Sequence, residues 1–169
     1  QKLTTHGGSL RVFAQHTDSG QNPVEPAVKA LLKEESELGF DRLGTYLQFT
    51  EKVEKSKRST LTLLIQAKEE GKRVVAYGAP GKGNTLLNYC GIRSDLIEFA
   101  VDRNPYKHGR FTPGTQIPIF PPEALDEARP DYIFILPWNL ETEIRKQLAH
   151  AREWGAKFVI PIPEIQVLD

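Results

Sequence analysis

Residues Arg73 to Thr85 read RVVAYGAPGKGNT, and the fold turns on this stretch. The apolar run Val74 to Tyr77 predicts a buried strand. It enters a turn carrying Gly78, Gly81 and Gly83, after which leucines follow at positions that suit a helix. Strand, tight glycine turn and helix start, in that order, make the opening unit of a nucleotide-binding α/β domain. The unpaired N–H groups of such a turn and the positive end of its helix can hold a phosphate, and Lys82 adds a full charge. Against the dinucleotide fingerprint, Gly78 and Gly83 match the first and third glycines, but Pro80 stands at the second, where the backbone must approach a pyrophosphate. Against the P-loop pattern the same two glycines fit, but Asn84 stands where lysine is required. Two readings stay open: an anion-binding turn for no named cofactor, or a glycine turn that only packs helix on strand.

Downstream the pattern repeats. Strands are expected at Ile97 to Val101, Asp131 to Leu136 and Phe158 to Ile162, with helices at about Asn84 to Tyr89, Pro122 to Ala128 and Leu140 to Trp154. Asn139 is expected to cap the last helix, Glu141 and Glu143 to sit near its positive end, and Gly155 to close it. Ile117-Pro118-Ile119 reads as a short edge strand, where proline is tolerable. Strands alternating with helices imply an α/β fold: a mostly parallel sheet covered by helices on both faces.

Upstream, a turn at His6 to Ser9 precedes a strand expected at Ser9 to His16, and Thr17 to Pro23 is a polar linker. A helix is expected from Pro26 to Leu38, stopped by Gly39, and a longer one, capped by Asp41, up to about Glu70. Leu43, Tyr46, Leu47, Val53, Leu61, Leu64 and Ile65 fit one stripe of the second. The pair either bridges two domains or lies on the sheet as a hairpin. The expected division is therefore 1–24 as the end of a preceding domain plus linker, 25–71 as a helical hairpin, and 72–169 as the α/β domain.

Lysine and arginine total 22, as do aspartate and glutamate, so the net charge of zero gives no reason to expect nucleic acid or an anionic membrane as partner. Cys90 is the one cysteine, in an apolar setting that makes it inert, and no disulfide framework follows. His6, His16, His108 and His150 show no metal-ligand spacing, so no metal is expected. No apolar run approaches the roughly 18 residues that span a bilayer, and no signal peptide is visible, so a cytoplasmic location is expected. The absence of methionine and the start at Gln1 lead us to expect a natural chain that extends further upstream.

Ligands on open α/β sheets bind beyond the carboxyl ends of the strands. After the second strand stands Asp102, which either accepts a ribose hydroxyl or caps a turn. The loop Arg103 to Arg110 is basic and aromatic, suited to a phosphate or nucleobase. After the third strand come Pro137, Trp138 and Asn139, and the indole can stack on a base or sugar. His6 is a candidate acid or base, though a lone histidine in a turn is seldom catalytic. No nucleophile-and-base pair or carboxylate pair is visible.

Four ordered blocks, HGGSLRV, YGAPGKGNTLLNYCGI, DRNPYKHGRFTPGTQIPI and ILPWNL, resemble the C-terminal domain of the SAM-dependent sugar-nucleotide C-methyltransferases. The resemblance covers nearly the whole chain. It implies a Rossmann-like domain, preceded in the family by a zinc-binding segment and a SAM-binding domain, with the substrate, typically a dTDP-linked keto sugar, between that domain and this one. SAM and zinc would then belong to the upstream domains, and no acidic-glycine motif for SAM occurs here, since Gly78 follows Tyr77. The family's chemistry removes a proton next to the sugar ketone and transfers methyl to the resulting carbanion. On this resemblance Gly78, Lys82, Gly83, Asn84 and Thr85 would face phosphate, and Asp102, Arg103, Lys107, Thr115 and Trp138 would line the nucleotide or sugar. The partners implied are a nucleotide-linked sugar and the upstream domain of the same chain. The alternatives are a Rossmann-type binding or regulatory domain for NAD or CoA, and a scaffold with no ligand of its own.

Overall fold

The computed structural model describes residues 1–169, which form two compact units, Gln1–Lys52 and Val53–Asp169. In the second unit, the run Val74 to Tyr77 is apolar at every position because both its faces are covered. It forms β3 (Val74–Tyr77), buried throughout. The sheet also contains β4 (Ala100–Val101), β5 (Ile119–Phe120), β6 (Tyr132–Ile135), β7 (Lys157–Ile160) and β8 (Gln166–Leu168), in the order β5-β4-β3-β6-β7-β8. All neighbours pair parallel except β7 and β8. This is the doubly wound order, whose strand sequence reverses between β3 and β6.

Alternate side chains of each strand feed two cores. Val74, Ala76, Ala100, Phe134 and Val159 meet Leu64 and Ala67 of helix α2 (Leu43–Glu69) and Leu86, Leu87 and Cys90 of helix α3 (Gly81–Cys90). Val75, Tyr77, Val101, Ile133, Ile135 and Phe158 meet Leu125 of α4 (Glu123–Ala128), Ile144 of α5 (Glu141–Gln147) and Leu148, which follows α5. The expected α/β sheet with helices on both faces is what forms. At the amino ends of the strands, Arg73 grips Glu98 at 2.7 Å and donates to the Ala128 carbonyl at 2.6 Å. Asp131 accepts from the Arg73 N–H at 2.8 Å and from Lys72 at 3.0 Å. These bonds pin the start of β3 to the start of β6.

Several boundaries differ from expectation. The second strand of the sheet shrinks to Ala100–Val101, because Ile97 is buried in the turn before it. The edge strand sits two residues later, at Ile119–Phe120. The long helix expected at Leu140 to Trp154 is broken at Leu148 (φ −99°, ψ 22°) into α5 and a 3₁₀ segment, Ala149–Trp154, and Gly155 closes the latter at φ 83°. Asn139 caps nothing: it lies in a 3₁₀ turn, Trp138–Leu140. Strand β8 was unforeseen; the Asp169 carbonyl accepts from Arg145 at 3.0 Å and from Arg152 at 2.8 Å, which ties the end of β8 to the α5 layer. A cavity of about 330 Å³ lined by Thr142, Arg145, Lys146, Ala149 and Arg152 lies beside these arginines.

In the first unit, β1 (Lys2–Leu3) and β2 (Ser9–Leu10) form a two-stranded antiparallel pair around the turn at Thr5–Gly7. The strand expected to reach His16 stops at Leu10, and beyond it Val12 and Phe13 each stand 74% exposed. Helix α1 (Pro26–Glu37) begins on its proline as expected, and Gly39 follows its end at φ 76°. Asp41 accepts from the Ser36 hydroxyl at 2.9 Å, and α2 starts two residues later. Helix α1 buries no side chain, and the buried residues of α2 are Thr60, Leu64 and Ala67. No helix is long and apolar enough to cross a membrane.

The stripe of α2 thus performs two different jobs, which a pair of truncations separates. In urea unfolding of residues 1–169, Leu64→Ala, at a fully buried site, should cost about 2–5 kcal/mol, whereas Leu43→Ala, at a site 74% exposed, should stay within about 0.5 kcal/mol.

Candidate functional site

The turn after β3 is built by two close approaches. Gly78 has φ +79°, and a Cβ there would lie 2.8 Å from Cδ of Pro137. A Cβ on Gly83 would lie 2.8 Å from Cβ of Leu136 and 3.2 Å from Cδ of Pro80. Both glycines therefore seat the start of α3 against the tip of β6, across the gap where the strand order reverses. Gly81 is different: nothing lies within 4 Å of its would-be Cβ. Pro80 is the residue before α3, and no side chain caps the helix. The N–H groups of its first turn, at Gly81, Lys82 and Gly83, precede the intrahelical ladder; Gly81 is exposed, Lys82 half-buried and Gly83 buried.

Lys82 lies across this helix end. Its ammonium sits 4.6 Å from the Trp138 ring centroid and donates to Asn139 Oδ1. Burial lowers its pKa from the ordinary lysine value, and the ring face attracts the charge by about 0.5–1 kcal/mol. Lys82, Trp138 and Asn139 thus form one polar-aromatic shelf at the β3–β6 crossing. The part Asn139 plays in it was missed, because Asn before an apolar-periodic segment reads as a cap.

Asp102, at the tip of β4, is 8% exposed and its oxygens are engaged internally. Oδ2 accepts from the Ala79 N–H and from Lys107, each at 2.8 Å, and Oδ1 accepts from the Asn104 N–H at 2.8 Å. Lys107 also donates to the Ala79 carbonyl at 3.1 Å, and His108 Nε2–H to the Asp102 carbonyl at 2.7 Å. Of the two expected roles for Asp102, ribose contact or turn cap, the bonds match the second, and Lys107 is spent alongside it. Burial pushes the Asp102 carboxyl up, but Lys107 and the two backbone donors outweigh it and hold the pKa below the usual carboxylate value.

The remaining candidates divide the same way. Thr115 is buried and its hydroxyl meets that of Thr112 at 2.6 Å, so it braces the 102–118 connection and faces no open surface. Asn88 secures the same loop by donating to the Pro113 carbonyl at 2.9 Å; nothing at its position signalled this, since its partner lies 25 residues away. Thr85 is exposed and donates to the Gly81 carbonyl at 3.2 Å. Asn84 is half-buried, with a side-chain oxygen that has no partner. Arg103 is exposed. His6, with φ 56°, is exposed in the first unit's turn. The structure therefore gathers Gly78, Lys82, Gly83 and Trp138 at one crossing, and puts Asp102 and Lys107 beneath it as a brace.

Asp102, the acidic group at the tip of β4, already accepts hydrogen bonds from Ala79, Lys107 and Asn104. No three His, Cys, Asp or Glu side chains stand together as metal ligands, and Cys90 is buried with its thiol pushed up in pKa by burial.

Two sets of substitutions test this geometry. Gly83→Ala should cost about 1–3 kcal/mol in stability from overpacking, while Gly81→Ala should be neutral or stabilise by up to about 1 kcal/mol. Asp102→Asn should cost about 1.5–3 kcal/mol above pH 5, the worth of hydrogen bonds to a charged group. Because the folded-state pKa is depressed, this contribution is present above the unfolded value near 4 and is lost as pH falls through the folded one. The gap between wild type and variant, from urea unfolding at several pH values, should therefore close below about pH 4.

Comparison with known proteins agrees with the resemblance read from the sequence. A C-methyltransferase of Streptomyces niveus, NovU, is 37% identical over 163 residues, which cover 96% of this chain. The chain spans 39% of that relative's length. Among solved structures, UDP-D-quinovosamine 4-dehydrogenase from Vibrio fischeri superposes with a TM-score of 0.41 at 17% identity, over 58% of this chain and 93% of that one, too loosely to bear on function. The sequence profile described as the C-methyltransferase C-terminal domain matches residues 4–163. The chain belongs to the C-methyltransferase C-terminal domain family.

Proposed function

We propose that this chain is the substrate-side part of a SAM-dependent C-methyltransferase, holding a nucleotide-linked keto-deoxysugar by its phosphates. On this reading the reaction belongs to deoxysugar biosynthesis in the cytoplasm. SAM, zinc and the base that removes the sugar proton come from the domain that precedes this one. The observation that carries the reading is the uncapped start of α3, with three first-turn N–H groups, at the point where the strand order reverses. Lys82 supports it, as a cation resting on Trp138 and an amide oxygen that an anion can outcompete. Arg103 is exposed at the neighbouring strand tip and adds a second positive charge. Membership of the family supports the methyl-transfer class.

A second reading has its own observation. Gly78 and Gly83 are both needed for packing against Pro137 and Leu136, so the turn accounts for its glycines without any ligand, as a scaffold would. Lys82→Ala in the intact enzyme separates the two. A phosphate contact predicts a KM for the nucleotide sugar raised about 10- to 100-fold with kcat little changed, the loss of one charge-assisted hydrogen bond. An unchanged KM favours the scaffold. Calorimetry on the intact enzyme should show binding of dTDP and none of NAD or CoA; the reverse pattern sinks the sugar-nucleotide reading.

A further inference from the structure

Well over half of the large apolar side chains that stand exposed lie in the first 52 residues, a unit in which no apolar side chain is buried. The helices there are nonetheless fully formed. Short helices in water draw their stability from packing of an apolar face rather than from propensity, and a soluble surface seldom leaves such a face bare. Helix α2 shows where the face runs. In a regular helix, residues about five turns apart point the same way, so Leu43, Tyr46 and Phe49 repeat the directions of Leu61, Leu64 and Ala67. The later three pack on the sheet, Leu64 at 0% exposure. The earlier three are 74%, 56% and 64% exposed. One continuous seam is covered over its second half and bare over its first. Val28 and Leu32 of α1 stand exposed as well, at 48% and 61%.

We propose that this bare half-seam of α2, with the apolar residues of α1, is the docking surface for the part of the enzyme that precedes this domain in the intact chain. The family is defined as a C-terminal domain, and the matched relative carries most of its length outside the match. The bare surface falls in the stretch nearest in sequence to that larger part. Its aliphatic and aromatic composition specifies a partner with an apolar groove. The proposal rests on the family membership and not on phosphate binding, and its test contains no substrate, so it stands or falls separately from the sugar-nucleotide reading.

The test uses the intact enzyme with Phe49 replaced by the photoreactive analogue benzoylphenylalanine, a change that keeps the aromatic ring. Irradiation should crosslink position 49 to residues upstream of Gln1 in the same chain, with a yield independent of protein concentration. A crosslink to a second copy, or none, overturns the proposal. Hydrogen exchange supplies a readout without the analogue. In Leu43→Asp, amides of Leu43 to Lys52 should exchange at least about tenfold faster than in the wild type while Val74 to Tyr77 keep their protection. Equal exchange in the two proteins also overturns it.

Discussion

The structure depends on how closely α3 can approach the tip of β6. No Cβ can stand at position 78 or 83 without displacing Pro137 or Leu136, and each of those neighbours is part of a chain segment that cannot retreat: Leu136 is fully buried in the core and Pro137 is locked in its ring. The approach draws the helix start, Lys82 and Trp138 into one small volume. It also restrains where the first-turn N–H groups of α3 point, because Gly83 of the helix and Gly78 of the turn before it are both held against side chains that follow β6. A glycine-rich turn can therefore be rigid, and here its glycines serve contact as much as conformation.

Beneath that turn the negative charge of Asp102 is turned inward, where it meets Lys107 and two N–H groups. The helix end, Lys82 and Arg103 stand at the strand tips, with the carboxylate of Glu143 close enough to act on Tyr77 beside them. At the opposite end of the strands the pattern is purely structural: Arg73, Lys72, Glu98 and Asp131 are paired with one another. The two ends illustrate why an ion pair is informative about function only together with its place on the sheet.

Much of this was legible from period and punctuation. The run Val74 to Tyr77 announced a doubly covered strand because both of its faces are apolar, and Gly39, Gly71, Gly91 and Gly155 end their helical segments at positive φ. What escaped was tertiary in origin. Strand β8 is short and half polar, and its place is set by pairing with β7 and by two arginines from the α5 layer. The break at Leu148 obeys no local breaker residue. Asn139 and Thr115 carry residue types that suit a cap and a ligand, and each was claimed by a distant or buried partner, Lys82 and Thr112. Asp102 was placed correctly at a strand tip, but position alone does not say whether its carboxylate looks outward or in.

The inward-facing carboxylate has a consequence for anyone who would redesign or transplant this turn. Ala79, Asp102, Asn104 and Lys107 behave as one inseparable module, since removing the lysine alone would strand an anion in a nearly dry site and removing the aspartate alone would release both the turn and its loop. Natural or engineered variation at either charged position should therefore come in matched pairs, and energies measured for single changes there will not add.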